Sequence, residues 1–235
     1  MLEPLPDTFV AARDGLHALA EHVIAPARYR ADGHIGLVPT PGGFGTPTFG
    51  EEQHVRVDGV ELVHDRPGTS TRVRITTIGA AAQFIGIPPG APADVYKPAT
   101  PCTPDAPLEV DADSARVLEA WIALGDSLLA DLRETYAAYD STPATLWPEH
   151  FDLACELGDA AAGTRATYGA SSGDDNISQP YLYVGPFDAK RRTGRLGTHP
   201  WGSAITYDEL AGAGDSKGKA ADFLLDGAAL LLGQP

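Results

Sequence analysis

Cysteine is scarce in this chain, which has two, Cys102 and Cys155, among 235 residues. Neither belongs to a Cys-x-x-Cys pair, so a cysteine-based zinc site would need ligands from elsewhere in the chain. A chain of this length can bury a large core without disulfides or metals. We therefore expect two reduced thiols, Cys155 packed in the core, and no metal site.

Long apolar runs are also missing. No stretch approaches the roughly 20 apolar residues that a membrane-spanning helix needs. The start, Met1-Leu2-Glu3-Pro4, lacks the basic and apolar regions of a secretory signal. These absences predict a soluble, cytoplasmic protein that has no membrane partner.

Positive charge is in short supply, with 17 basic against 32 acidic residues and a formal net charge of −15. Such a surface repels nucleic acid and anionic lipid, which argues against both as partners. The excess of acidic groups is typical of a highly soluble protein.

Established catalytic and cofactor motifs are absent as well. The glycines at 42, 43 and 45 miss the spacing of a dinucleotide fingerprint. No phosphate-binding loop, nucleophile elbow or His-Glu-x-x-His helix occurs, so no cofactor is predicted. His17 and Glu21 are one helical turn apart and are interpreted as an ordinary surface pair.

What the sequence does contain is a clear helical pattern. Apolar residues recur at helical spacing and predict helices over about residues 7–25, 114–139 and 217–232. Pro26 and Pro143 predict the ends of the first two, because proline cannot donate the helical hydrogen bond.

Strand signals accompany the helices. Asp58-Gly59 lies between two β-rich runs, the signature of a two-residue hairpin turn, and predicts that Val57 faces Val60 and Val55 faces Leu62. Alternating patterns predict further strands over residues 72–77, 150–157, 164–169 and 181–184. The fold class expected is α+β, with mainly antiparallel sheets packed with two long helices and a C-terminal helix.

Seven prolines fall within residues 88–108, which predicts an extended segment. It would join two sub-halves, 1–87 and 109–235, and the predicted order of elements in each is a helix, several strands and a helix. We expect a single compact domain, 1–235, with two halves of similar element order.

The most suggestive patch for chemistry is the strand predicted around residue 152. Strand alternation places His150, Asp152 and Glu156 on one face. These three residues are the catalytic candidates, because a His and two carboxylates could exchange protons or bind a divalent metal. The alternative is a solvated sheet face, which carries a polar residue at every second position.

Aromatic residues near this strand are the ligand-binding candidates. They are Trp147, Tyr181, Tyr183, His199 and Trp201. The two tyrosines share one face of their strand, where they could line a pocket or pack at the sheet surface. We predict that His150 and Asp152 share a cavity with at least one of the tyrosines.

Two short motifs carry a resemblance. Phe151-Asp152-Leu153-Ala154, followed by Pro180-Tyr181-Leu182-Tyr183, resembles an uncharacterised bacterial family of unknown function. The resemblance covers mainly residues 114–187. It implies the element boundaries given above and adds no mechanism.

Two function hypotheses remain open. The first is a small-molecule pocket in the second half of the chain, in a protein that could be an enzyme. The second is a non-enzymatic interaction protein that assembles as a homo-oligomer. Convergence of the polar candidates on one cavity would favour the first.

Overall fold

The computed structural model describes residues 2–234. They contain six α-helices and two antiparallel sheets, each of five strands. The helices are α1 (Phe9–Leu19), α2 (Ala25–Asp32), α3 (Ile78–Ile85), α4 (Ala112–Thr135), α5 (Tyr207–Ala211) and α6 (Ser216–Leu232). The strands are β1 (Val38–Thr40), β2 (Gly43–Gly45), β3 (His54–Asp58), β4 (Glu61–Arg66), β5 (Thr69–Arg74), β6 (Thr145–Trp147), β7 (Asp152–Leu157), β8 (Ala166–Ser171), β9 (Tyr181–Pro186) and β10 (Ser203–Thr206). The predicted α+β class is confirmed.

Residue contacts divide the chain into two units, each discontinuous in sequence. The N-terminal unit comprises Leu5–Ile122 and Leu146–Phe151. The C-terminal unit comprises the described residues of 1–4, 123–145 and 152–235. The proline-rich segment 88–108 lies within the N-terminal unit.

The first sheet has the order β1-β2-β3-β4-β5, and its central hairpin differs from the predicted one. Val57 lies opposite Leu62 rather than Val60, so the predicted register is wrong. The turn residues are Gly59 and Val60, of which only Gly59 has a positive φ, at +61°. This arrangement matches a type II′ turn, which takes glycine at its first central position, whereas a turn centred on Asp58-Gly59 would need a positive φ at both.

The first helix continues past Pro26, where its end was predicted. A π-helical turn, Ala20–Ile24, connects α1 to α2, and Pro26 lies in the first turn of α2. Pro26 lacks the N–H that would bond to the carbonyl of His22, four residues earlier. That carbonyl accepts the N–H of Gly90 instead, at 3.0 Å. Helical structure therefore survives the proline because another segment supplies the missing donor.

The second sheet has the order β10-β9-β8-β7-β6. In its β7–β10 part, one face is apolar and buried, with Leu153 as an example. Two helices approach this face through glycines: a methyl group on Gly125 of α4 would meet Ala170, and one on Gly227 of α6 would meet Val184. The side chains of Asp152, Tyr181 and Tyr183 project from the opposite face.

Strand β7 begins at Asp152, so the prediction of a strand from His150 is wrong. Residues 148–151 form a turn, and His150 is exposed within it. Phe151, fully buried, takes a left-handed backbone with φ +49°. A left-handed backbone costs a non-glycine residue about 1–2 kcal/mol. At Phe151 it also interrupts the strand alternation from which the strand was predicted.

Both cysteines are free thiols, with Cys155 buried and Cys102 exposed. Burial raises the pKa of the Cys155 thiol to about 11, so this group stays protonated near neutral pH. Within residues 2–234, no helix combines the length and the apolar character required to cross a membrane.

Candidate functional site

A tyrosine site, defined here as Asp152, Asp174, Tyr181, Tyr183 and Trp201, lies in the C-terminal unit. The register places these side chains together. Asp152 of β7 faces position 171 of β8, which faces Tyr181 of β9. Because opposed residues of an antiparallel ladder point to the same side of the sheet, Asp152 and the tyrosines share one face.

The centre of the site is a hydrogen-bonded pair of a half-buried tyrosine and a buried aspartate. The hydroxyl of Tyr183 donates to Oδ2 of Asp152, whose side chain is 5% exposed. Gly169, directly opposite Tyr183 in β8, makes this possible. A methyl group on Gly169 would meet the ring of Tyr183, so the bare backbone gives the ring room to lie across the sheet towards Asp152.

A second phenol–carboxylate pair lies beside the first. The hydroxyl of Tyr181 donates to Oδ2 of Asp174 at 2.6 Å. Oδ1 of Asp174 accepts the N–H groups of Asn176 and Ile177, at 2.6 and 2.9 Å. The β8–β9 loop is thus folded around this carboxylate, which fixes its position towards Tyr181.

Aromatic rings pack against one another around the two pairs. The centroids of Tyr181, Tyr183 and Trp201 are 6.0–6.2 Å apart in all three combinations. His199 stacks on Trp201 with a centroid distance of 4.8 Å and an interplanar angle of 8°. These distances are those of packed rings, and Tyr183, Trp201 and His199 are all half-buried rather than fully enclosed.

Both tyrosines of the site hold their protons tightly. Burial raises the pKa of Tyr183 well above its ordinary value, and the negative charge of Asp152 and the hydrogen bond to it raise it further. Burial likewise raises the pKa of Tyr181, with the hydrogen bond to Asp174 adding to the effect. At neutral pH the site therefore presents neutral phenols paired with carboxylates.

The remaining predicted site residues lie elsewhere. Trp147, 38% exposed, and His150 both belong to the N-terminal unit, and His150 is exposed in its turn. Glu156 follows Asp152 on the same face of β7, but its Oε2 accepts from Nε of Arg165 at 2.8 Å. Of the three catalytic candidates, the structure brings only Asp152 to the tyrosines.

A buried polar pair in the N-terminal unit, His17 and Glu21, was missed by sequence reasoning. The surface assignment of His17 and Glu21 is wrong, since Glu21 is 0% exposed and His17 is largely buried. His17 and Glu21 lie on the helical face that also carries Leu16 and Ala20, and the apolar face of a helix packs inward. The sequence therefore contained a signal that these two residues are buried.

A cleft of about 460 Å³ also lies in the N-terminal unit. It is bordered by the β3–β4 turn, by Arg74 of β5 and by Arg116 and Glu119 of α4. Two acidic residues of the cleft form ion pairs with Arg72. Nη1 of Arg72 lies 2.9 Å from Oε2 of Glu61 and 3.7 Å from Oδ2 of Asp58. None of the predicted site residues lines it.

Among residues 2–234, no group of three or more His, Cys, Asp or Glu side chains is placed to hold a metal ion.

Neither a family model, nor a curated protein, nor a solved structure matches the chain. The resemblance of residues 114–187 to a bacterial family stays a prediction.

Proposed function

We propose that this protein binds a small polar ligand at the tyrosine site. The observation that carries the proposal is the hydrogen bond from half-buried Tyr183 to buried Asp152, inside a group of packed aromatic rings. A sheet surface that only packs does not require a carboxylate at 5% exposure, because moving a charged group out of water costs free energy that its hydrogen bonds must repay.

The chemistry of the site suits a ligand with hydrogen-bond donors beside a flat apolar face. The hydroxyl of Tyr183 already donates its proton to Asp152, so a ligand that approaches this residue meets the phenol oxygen as an acceptor. The rings of Trp201 and His199 offer a surface on which an apolar face can stack. Sugars and nucleosides have both properties. Ligand binding does not imply that the protein is an enzyme. Enzymatic activity is a separate proposal, in which Asp152 would be the proton acceptor.

The experiment is a thermal-shift screen of sugars, polyols, nucleosides and amino acids, followed by calorimetric titration of each hit. Tyr183→Phe and Trp201→Ala should each weaken binding of the hit at least tenfold. Tyr29→Phe is the matched control, because it removes another tyrosine–aspartate bond, to Asp94 at 2.6 Å, outside the site. A hit that binds all variants with equal affinity would place the ligand elsewhere.

The second interpretation, a homo-oligomeric interaction protein, has its own supporting feature. Strand β5 lies at the edge of the first sheet, next to β4, and five of its six residues are exposed. Such an edge can pair with another chain. Light scattering at several protein concentrations tests this idea, and a monomer at all of them would leave ligand binding as the function to pursue. Both interpretations place the protein in the cytoplasm.

A further inference from the structure

The cleft in the N-terminal unit is formed by three segments of the chain. One wall is the β3–β4 turn, residues 58–61, the second is the end of β5 at Arg74, and the third is the start of α4, which contributes Ala112, Arg116 and Glu119. Its volume of about 460 Å³ lies within the range of about 300–1,000 Å³ that is typical of small-ligand sites. The tyrosine site belongs to the other unit, so the cleft is separate from it.

Gly42, in the turn between β1 and β2, ties these walls together. Its carbonyl oxygen accepts the N–H of Gly59 at 2.8 Å, and its own N–H donates to Oε1 of Glu119 at 2.8 Å. Its φ is +86°, and a methyl group there would meet Asp58, so this close approach requires glycine. The shape of the cleft is therefore fixed by hydrogen bonds from both the sheet and the helix.

The acids of the sheet wall are bonded to arginines other than Arg74. Glu61 lies directly opposite Arg74 across the β4–β5 ladder, but Oε2 of Glu61 accepts from Nη1 of Arg72 at 2.9 Å instead. Asp58, in the same row, lies 3.5 Å from Nη1 of Arg56 and 3.7 Å from Nη1 of Arg72. Within residues 2–234, Arg74 itself forms no ion pair. Its guanidinium is available to a ligand.

The helical wall carries a charge of each sign. Arg116 and Glu119 are three residues apart, so they are neighbours on the surface of α4, and both line the cleft. Nη2 of Arg116 lies 3.7 Å from Oδ1 of Asp113, but a guanidinium has five N–H donors and can hold more than one partner. Glu119 is half-buried, and its Oε2 can accept a hydrogen bond while Oε1 holds the N–H of Gly42.

These groups select a ligand that carries both charges. Arg74 and Arg116 can donate to an anionic group, whereas Glu119 can accept from a cationic one. A purely anionic ligand would be repelled by the three carboxylates that line the cleft, and a purely cationic ligand by the two arginines. Val60 and Ala112 add apolar surface beside the charged groups.

We propose that the cleft is a second ligand site, which binds a small aliphatic α-amino acid. The carboxylate of the ligand is held by Arg74 and Arg116, and its ammonium group by Glu119. Such a ligand has no net charge, so the negative charge of the whole protein does not oppose its binding.

The test is calorimetric titration of the full chain with L-alanine at pH 7 and constant ionic strength. Propionate and ethylammonium are the matched probes, because each keeps one of the two charged groups of L-alanine and lacks the other. We expect saturable binding of L-alanine and at least tenfold weaker binding of both matched probes, since each of them loses a charge-assisted contact.

Arg74→Gln and Glu119→Gln should each weaken binding of L-alanine at least tenfold. An amide oxygen at position 119 can still accept the N–H of Gly42, so Glu119→Gln removes the charge and keeps the bond between the walls. Arg30→Gln is the matched control, since Arg30 is an exposed arginine of the same unit that does not line the cleft. It should bind L-alanine as the unsubstituted protein does.

Tyr183→Phe separates the cleft from the tyrosine site. It should bind L-alanine with unchanged affinity, whether or not the tyrosine site binds a ligand. The proposal is overturned if L-alanine does not bind, if propionate binds as tightly as L-alanine, or if Arg74→Gln and Glu119→Gln both keep the full affinity. Loss of binding in Tyr183→Phe alone would place the amino acid at the tyrosine site and would also overturn it.

Discussion

At the scale of single residues, the bond from Tyr183 to Asp152 can be tested without any ligand. Tyr183→Phe removes a donor from a buried carboxylate and should lower the free energy of unfolding by about 1–3 kcal/mol. Tyr29→Phe breaks an exposed bond of the same type and should change it by less than about 0.5 kcal/mol. Urea unfolding of both variants measures the difference. Equal losses would mean that burial adds nothing to the pair.

Alkaline pH should destabilise the protein through its buried tyrosines. Burial raises the pKa of Tyr96, Tyr168, Tyr181 and Tyr183 in the folded state, whereas the unfolded chain releases these protons near pH 10. Above that pH the folded state binds more protons, so stability is fully present below about pH 10 and is lost as pH rises towards the folded pKa values.

The expected slope for each such tyrosine is about 0.7 kcal/mol per pH unit at pH 10 and approaches about 1.4 kcal/mol per pH unit above about pH 11, measured by urea unfolding between about pH 9 and 11. Tyr168→Phe is the informative variant, because its hydroxyl is buried without a partner among residues 2–234. It should reduce the slope by one tyrosine and leave stability at neutral pH unchanged or higher. An unchanged slope would show that Tyr168 ionises equally in both states.

Sequence reasoning found Asp152, Tyr181 and Tyr183 because strand alternation fixes which side chains share a face. It did not find Asp174, since an acidic residue in a glycine-rich loop is typical of a solvated turn, and only the folded loop turns it towards Tyr181. His150 was misplaced because the left-handed backbone at Phe151 leaves no mark in a pattern of apolar and polar residues.

At the scale of elements, Gly59 tests the observed hairpin turn. Its φ is +61° and a methyl group there would meet nothing within 4 Å. The cost of Gly59→Ala is therefore conformational, about 1 kcal/mol, and Gly59→Val should cost more because valine is β-branched. Gly214 is the matched control, with open space around it and no positive φ, and Gly214→Ala should be neutral or stabilising.

Both substitutions are measured by thermal and urea unfolding, and equal effects at the two glycines would contradict the turn assignment.

The hairpin itself could be predicted from sequence, including the buried face of Val55, Val57 and Leu62. The register could not, because a glycine after an aspartate fits either central position of a two-residue turn. The choice depends on which backbone the neighbouring strands accept.

The first helix shows a different limit. Proline ends most helices because it leaves a carbonyl without its donor. Here the donor is the N–H of Gly90, which is far along the chain from Pro26. Local sequence therefore predicts a break, and a tertiary hydrogen bond prevents it.

At the scale of the whole molecule, the net charge of −15 should make stability depend on salt. Raising ionic strength from about 0.01 to 0.15 M shortens the Debye length from about 30 to about 8 Å and screens the repulsion between acids. Tm should rise by about 2–4 °C, equivalent to about 1 kcal/mol. Sodium and tetramethylammonium chlorides should act equally, whereas a response to sodium alone would indicate a specific ion site.

The units of the molecule are not visible in the sequence. The clearest change of composition falls at residues 88–108, which suggests a junction there. Contacts instead group residues 146–151 with residues 5–122, and no local property of that short segment announces its partners. Composition reports where the chain is extended, while membership of a unit depends on packing between segments far apart in sequence.

The bonds from the proline-rich segment to Glu21 and His22 have a consequence for local unfolding. The N–H groups of Gly90, Ala91 and Thr100 are held by these two residues, so the segment cannot open without stranding a buried carboxylate. Segment and helix should open as one cooperative unit. Amide exchange into deuterated water should then be as slow at Gly90 and Thr100 as in the π-helical turn, and Glu21→Gln should speed exchange at both places together.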